Sequence, residues 1–401
     1  MNQVMQTSES RPYDGVRIVD LTRELGSYAA RLFADLGAEV IRIEPPEGRA
    51  DRQAPPTLAG VDPASGGIPY AFLNANKKSI VVDLKSAGGA EIFRDLVASA
   101  QVVIYEPGED SEAELAEILA VPGQRVVTAV SYFGLTGPYS HFVGCDLVAQ
   151  ALGGIAFLSG EPGKPPLKLA GSQSIFVASL YAAAGTAIAL WHSEDTGASH
   201  VLDVSAQEAI AHSLQNAVQV YDLEGRVMSR GGEGVRDATE SSFSCKDGYV
   251  FLAAPLSLPA SWGGVLAWMK DEGFDGLARL ASPDWQDRPK RATAAMKQEF
   301  RALFERFIGQ KTKAELGAEA LKRKIIMAPV SRIADLQTDP QLVFRRYFQK
   351  VAIPGLGRDV LFPGAPYRLS EPVWRIDRPA PRLGQDDDAV LGTTSARQAR
   401  Q

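Results

Sequence analysis

Cysteine is nearly absent. Cys145 and Cys245 are the only two in 401 residues, which puts a disulfide framework out of reach and a Cys-rich metal site with it. Histidine is almost as scarce: His141, His192, His200 and His212 show no ligand spacing with a carboxylate or cysteine and read as surface or satisfied core residues, so no metal is expected. Basic charge is not in excess. Lys and Arg total 42 against 48 Asp and Glu, a formal net charge of -6, and a chain without a basic field is not expected to partner nucleic acid. Residues 1–11 are polar and lack the basic-then-apolar order of an export signal. The most apolar stretch, 175–191, is interrupted by Ser179 and Thr186 and reads as a buried helix rather than a membrane span. A cytoplasmic location with no membrane partner is the expectation. Neither a Walker A loop nor a G-x-S-x-G elbow occurs, and no G-x-G-x-x-G follows the first strand, so no dinucleotide site is read here.

What the chain does have is ordinary globular composition, 45% hydrophobic and 22% charged, at a length that supports two cores. Residues 16–21 form a β-type run, 26–37 carry Tyr28, Leu32, Phe33 and Leu36 at helical spacing, and 38–43 are again β-branched before Pro45-Pro46. That is a βαβ unit. It recurs with strands at 79–84, 101–105 and 125–131 and helices at about 90–100 and 111–120. Strands alternating with helices predict a parallel sheet covered on both faces, a Rossmann-like α/β architecture. A long helix over 175–192 should stop at Gly197, with a strand at 201–204 and another helix from Ala206. Beyond Gly225 the composition changes. Gly231, Gly232 and Gly234 lie in a polar loop that could serve as a lid or an interdomain linker, and a turn at 246–248 leads into a strand. Residues 262–324 look helical, with Phe300, Leu303, Phe304 and Phe307 on one face. The expected division is 1–225, the N-terminal part of a large domain; 226–330, a small domain; and 331–401, a return to the large domain. The Pro- and Gly-rich tail from Val351 cannot make its own core and must lie along another surface, its own or a partner's.

Residues 74–79, Asn74-Ala75-Asn76-Lys77-Lys78-Ser79, place two amides and two ammonium groups ahead of a strand. That mix suits phosphate or carboxylate recognition, and equally a solvated basic turn.

Several segments occur in a telling order: Asp20-Leu21-Thr22-Arg23; Ala34-Asp35-Leu36-Gly37-Ala38-Glu39-Val40-Ile41-Arg42-Ile43-Glu44; Asn74 to Ser79 with Asp83-Leu84; Tyr132-Phe133-Gly134-Leu135-Thr136-Gly137-Pro138-Tyr139; Asp146-Leu147-Val148-Ala149-Gln150-Ala151; Thr196-Gly197 with Asp203-Val204-Ser205; and Ala380-Pro381-Arg382-Leu383-Gly384. Over about residues 13–390 this series resembles the family III CoA-transferases, which include formyl-CoA transferase, carnitine CoA-transferase and the α-methylacyl-CoA racemases. The resemblance implies a large Rossmann-like domain built from both chain ends, a small middle domain and an interlocked dimer. It implies coenzyme A or an acyl-CoA as substrate, with a carboxylic acid as second substrate and no covalently bound cofactor. It also implies CoA-binding roles: Arg42 beside the adenine, Asn76, Lys77 and Lys78 at the phosphates, and Tyr105 as an aromatic face.

Departures from the family pattern are as informative. Ile104 stands where the family commonly has Asn, and an acidic run, 109–114, stands where it has an arginine. Transfer in this family needs an aspartate that attacks the thioester carbonyl, forms a mixed anhydride and then carries CoA as an aspartyl thioester. At that place this chain reads Gln173-Ser174-Ile175, after Gly171-Ser172. The nearest acids along the chain are Glu161 and Glu194. The racemase branch requires a histidine where Cys145 stands, which disfavours isomerisation. Asp146 is the best-placed carboxylate by resemblance, as a base, a substrate-orienting group or a helix cap. Three roles follow: the nucleophile-lacking chain of a heteromeric CoA-transferase, as in two-subunit members such as benzylsuccinate CoA-transferase; a homodimeric acyl-CoA enzyme working through other residues; or an acyl-CoA-binding scaffold.

Overall fold

The structure, a computed structural model, describes residues 10–61, 66–108, 110–161, 163–214, 216–230 and 237–392. It separates into two compact units. The larger takes in both chain ends, Met1–Ser159, Pro165–Glu224 and Val343–Gln401, and the smaller is Gly225–Leu342 with Gly160–Lys164.

The larger unit is built on six parallel strands: β1 (Arg17–Leu21), β2 (Glu39–Glu44), β3 (Lys78–Val81), β4 (Val102–Tyr105), β5 (Val126–Ser131) and β6 (His200–Ser205), in the spatial order β3-β2-β1-β4-β5-β6. Strand alternation divides the core between the two faces of the sheet. Ile18, Val40, Val102, Ile104 and Val126 pack against α1 (Ser27–Asp35) and the long helix described below, while Val19, Ile41, Val103, Tyr105 and Val127 pack against Phe93, Leu96 and Ile118. Those last three come from α3 (Ala87–Ala98) and α4 (Ser111–Ala120); α2 is the short Ile68–Leu73. Helix α1 starts immediately after Gly26, whose φ of 75° favours glycine and whose missing Cβ would stand 3.0 Å from the Val130 side chain.

After β5 come α5 (Asp146–Leu152), α6 (Ile155–Leu158) and the 24-residue α7 (Gln173–Thr196), closed by Gly197 at φ 75° as its position past the helix end requires. Helix α7 is not wholly buried, which corrects the sequence expectation. Its inner face carries Ser174, Ala178, Ala182, Thr186, Leu190 and Ser193 at three- and four-residue spacing, and small residues there let the helix sit close to β5, where the Thr186 and Thr128 hydroxyls bond at 2.7 Å. The outer face exposes Leu180 (53%), Ile188 (67%) and Trp191 (71%). By length and composition this helix could cross a membrane; its inner face is committed to the sheet. Helices α8 (Ala206–Ser213) and α9 (Asn216–Glu224) complete the segment.

The proline-rich tail does contain regular structure. An antiparallel hairpin, β10 (Phe348–Ala352) with β11 (Asp359–Pro363), packs Val351 and Phe362 on Ala71 and Ala75. Farther on, Asp386 and Asp387 accept the backbone N–H groups of Ser79 and Val81 at 2.9 and 2.8 Å, closing the open edge of β3.

In the smaller unit β7 (Ser241–Cys245), β8 (Gly248–Ala253) and β9 (Ile326–Pro329) form an antiparallel sheet. Against it pack Phe300 and Phe304 of the helix Ala294–Ile308, with Trp262 of α10 (Pro259–Asp271) and Trp285. The unit runs to Leu342 rather than stopping at 330, because Lys313 ties the following turn back to it through Asp335 (2.6 Å) and the Val330 carbonyl (3.3 Å). The glycines at 231, 232 and 234 lie outside the described residues.

Candidate functional site

The strand order reverses direction between β1 and β4. In an open parallel sheet the loops leaving two such strands diverge and leave a crevice beyond their carboxyl ends. A cavity of about 140 Å³ occupies that place, floored by Phe93, Ile118 and the ring of Tyr105 and rimmed by Arg23, Arg49 and Glu117. The volume suits a ring-sized fragment, well below the roughly 300 Å³ at which whole-ligand pockets begin. Arg49 hydrogen-bonds the Ile43 carbonyl from Nε and Nη2 at 3.3 and 3.2 Å, and burial, with Arg42 nearby, lowers its pKa. Arg23 donates to the Pro107 carbonyl at 2.5 Å. Tyr105 is 2% exposed, its hydroxyl has no hydrogen-bond partner among the described residues, and burial with Glu114 nearby raises its pKa.

Of the residues assigned to CoA, only Tyr105 reaches this crevice. Arg42 and Lys77 are brought together, but inside the protein. Arg42 donates from Nη2 to both carboxylate oxygens of Asp51 at 2.8 and 2.9 Å, and its Nε lies 3.4 Å from Glu44. Lys77 donates to Asp20 (2.7 Å), the Ser27 carbonyl (2.8 Å) and Asn74 (2.9 Å), which uses all three ammonium protons. Arg52 pairs with Glu44 at 2.5 and 2.8 Å. Three cations and three carboxylates thus balance within one buried network. Burial pushes the Lys77 pKa down to about 8, with Asp20 opposing, and Asp20 is held below the usual carboxylate range because Lys77 and Arg42 outweigh its own burial.

Lys78 stands at the opposite edge of the sheet. It begins β3 and pairs at 2.5 Å with Glu39, which begins β2; four residues of strand, about 13 Å, separate that edge from the crevice side. Asn76, at φ 65°, accepts the N–H groups of Asp377 and Arg378 and donates to Asp35 and the Arg375 carbonyl. Its work is to hold the C-terminal tail. The make-up of this loop suited phosphate or a solvated basic turn alike, and the resemblance placed it at the CoA phosphates; in the structure Asn76, Lys77 and Lys78 are bonded to protein groups, hundreds of residues away for the Asn76 tail partners.

Asp146 opens α5 and spends both carboxylate oxygens. Oδ1 accepts the Ser174 backbone N–H (3.0 Å) and hydroxyl (2.8 Å); Oδ2 accepts Gln150 (2.9 Å) and Lys168 (2.8 Å). It therefore caps α7, a different helix from its own, and replaces the side-chain cap that Ser172 does not make. Burial alone would raise its pKa, but the Lys168 ammonium and the Ser174 and Gln150 donors outweigh that and hold it below the ordinary value. Lys168 also donates to the Gly171 carbonyl at 2.6 Å, so the turn at Gly171-Ser172-Gln173 is fixed from both sides and carries no carboxylate. A fully bonded, low-pKa carboxylate is a poor base.

Sequence reasoning missed Glu106 and Glu24. Glu106 follows β4 and accepts the N–H groups of Arg23 (2.8 Å) and Glu24 (2.6 Å); Glu24 lies 3.5 Å from the Tyr132 hydroxyl and has its pKa raised by burial and by Glu106. Position after a switch-point strand was the available signal, but strand order is not written in any local pattern.

The sequence model described as CoA-transferase family III matches residues 13–387. The chain belongs to that family. This CoA-transferase is 36% identical over 380 residues, covering 94% of this chain and 92% of the relative, to the succinyl-CoA:(R)-benzylsuccinate CoA-transferase subunit BbsE of Thauera aromatica. It is 31% identical over 400 residues, 96% and 89% of the two chains, to the succinyl-CoA–L-malate CoA-transferase alpha subunit of Chloroflexus aurantiacus. Among solved structures, a CAIB/BAIF family protein from Brucella suis superposes with a TM-score of 0.83 at 26% identity, covering 98% of this chain and all of that one. CoA-transferases of this family take CoA thioesters as substrates, as the names of these relatives state.

Proposed function

We propose that this CoA-transferase chain is the nucleophile-lacking subunit of a heteromeric enzyme that moves CoA from an acyl-CoA thioester to a carboxylic acid. The observation that carries the reading is the turn before α7, held in shape by Asp146 and Lys168 yet offering only Ser172, Gln173 and Ser174. In the proposed cycle a carboxylate of the second chain attacks the thioester carbonyl, the C–S bond breaks and CoA leaves as thiolate. The thiolate then attacks the resulting anhydride at the enzyme's carboxyl carbon and releases the acyl group as its acid. The acceptor carboxylate attacks this enzyme thioester, and the thiolate finally takes the new acyl group, returning the enzyme carboxylate. A serine or glutamine cannot be carried through those four steps. Asp146 does not substitute, since its oxygens are consumed in capping.

The names of the two relatives, each a subunit, support a heteromer. The exposed apolar face of α7, with Tyr221 and Leu223 of α9, supports burial against a related chain in the interlocked manner of the family. Two free cysteines, one of them exposed, favour a cytoplasmic location. The test is CoA exchange from succinyl-CoA, the donor named for both relatives, measured for the purified chain and for the chain co-expressed with an aspartate-bearing paralogue. Turnover confined to the mixed assembly is expected; equal turnover by the purified chain refutes the proposal.

A further inference from the structure

His192 and His200 show no ligand spacing along the chain because they lie on different elements. His192 stands about one turn before the end of α7, and His200 is the first residue of β6. The connection between them brings His192 Nδ1 and His200 Nε2 to 2.9 Å, with the rings tilted at 54° so that they meet nitrogen to nitrogen. His192 is exposed and His200 half-buried, so solvent reaches the pair. The backbone under both is fixed. Thr196 Oγ1 donates to the His192 carbonyl at 2.7 Å, Gln124 donates to Ser193 Oγ at 2.9 Å, and the His200 N–H donates to the Arg125 carbonyl at 3.1 Å where β6 pairs with β5. Charge here is negative. Residues 192–200 include Glu194 and Asp195 and no Lys or Arg, and the carbonyl end of α7 adds to it. Arg125 spends its guanidinium on the carbonyls of Val121 and Pro122.

We infer that His192 and His200 form an exchangeable site for a divalent transition-metal cation of the nickel or copper kind, which takes their two facing imidazole nitrogens as neighbouring ligands. Two metal–nitrogen bonds of about 2.1 Å meeting at a right angle hold their nitrogens about 3.0 Å apart, close to the separation found here. Imidazole suits these cations, and each neutral ring presents its facing nitrogen as a lone pair when it carries its proton on the other. Among the described residues no third His, Cys, Asp or Glu joins the pair in a cluster. Water therefore fills the remaining positions and the cation exchanges, unlike one in a closed structural site with four protein ligands. Bound, it braces the end of α7 against the first residue of β6, the edge strand of the sheet. Nothing in this site depends on which chain supplies the nucleophile.

The probe is Ni²⁺, titrated calorimetrically near neutral pH into the full chain without an affinity tag, and into His192→Gln, His200→Gln and His141→Gln. Mg²⁺ serves as the competing hard cation that carboxylates alone would hold. The unaltered chain should take up one Ni²⁺, with no competition from Mg²⁺. Affinity should fall tenfold or more in both His192→Gln and His200→Gln and stay within twofold in His141→Gln. Should either variant fail to fold, carbethoxylation of the unaltered chain, mapped by mass spectrometry of its peptides, decides the matter: Ni²⁺ should protect His192 and His200 and leave His141 reactive. A chain that takes up no Ni²⁺ overturns the inference. So does a site that survives either substitution, one that Mg²⁺ empties, or one that leaves His192 and His200 open to carbethoxylation. Because the readout is metal binding by this chain alone, failure here leaves the heteromer proposal standing, and an inactive mixed assembly leaves this inference standing.

Discussion

At the scale of single residues, charge and location must be read together. Lys77 and Lys78 are adjacent in sequence and differ in everything that decides their effect: one is buried with three partners, the other is a third exposed and paired with Glu39. Removing the ammonium from Lys77 leaves Asp20 as an uncompensated buried charge, which costs about 3–5 kcal/mol. Lys78→Ala breaks a surface pair worth about 0–1 kcal/mol. Urea denaturation of Lys77→Met and Lys78→Ala should therefore separate the two by several kcal/mol; similar midpoints would mean that Lys77 is not the keystone of the network. Asp146→Asn tests the cap in the same way. Its lowered pKa contributes stability that is present above its unfolded value near 4 and lost as pH falls through the folded one. The variant should be about 1–2 kcal/mol less stable at pH 7, and the gap should narrow toward pH 3. A constant gap would assign the loss to packing. None of these partners was legible in the sequence, because Asp20 lies 57 residues from Lys77 and Ser174 lies 28 from Asp146.

Among the elements, those of the sheet were the readable part, since each strand of a doubly covered sheet is a short β-branched run and each is followed by a helix. Strands 1 to 6 fall within two residues of their expected starts. The tail hairpin was not readable: its two short strands flank a turn with Pro354, Gly355 and Gly357 in a proline-rich tail, and the packing of Val351 and Phe362 on α2 and the residues after it stabilises them. What joins these elements is titratable. Asp35, the last residue of α1, has its pKa pushed up to about 6 by burial; Arg31 and Asn76 oppose this and Asp377 adds to it. The Arg31 Nε to Asp35 Oδ2 contact, 3.3 Å, lacks hydrogen-bond geometry, which is why burial wins. A carboxyl whose folded pKa is raised contributes stability that is complete below its unfolded value of 3.8 and is lost as pH rises through about 6. Relative to Asp35→Asn, the unaltered chain should lose about 2 kcal/mol between pH 4 and pH 7. Parallel pH profiles from thermal melts of the two proteins would show that Asp35 titrates normally.

For the whole molecule, the decisive fact is an apolar helix only half used. Helix α7 spends its small residues on the sheet and turns Leu180, Ile188 and Trp191 outward, and a row of large hydrophobic side chains along a 24-residue helix is more apolar surface than a lone soluble chain ordinarily leaves open. Two environments could cover it, a lipid bilayer or another chain. Buried polar groups favour the second: Ser174, Ser179, Thr186 and Ser193 line the inner face, and the sheet, not lipid, receives that face. The sequence showed the helix but not this division, because apolar residues lie on both sides of it and periodicity alone cannot say which side meets its own sheet. If the outer face meets a related chain, a carboxylate placed there must be desolvated on assembly, at a cost of several kcal/mol, whereas in the separated chain it remains in water and costs little. Ile188→Glu should thus convert the assembly to single chains by sedimentation velocity while leaving the circular dichroism of the chain unchanged. An assembly that keeps its mass with Glu at 188 would place the contact elsewhere, and Trp191→Glu, one turn along the same face, would then be expected to have no effect either.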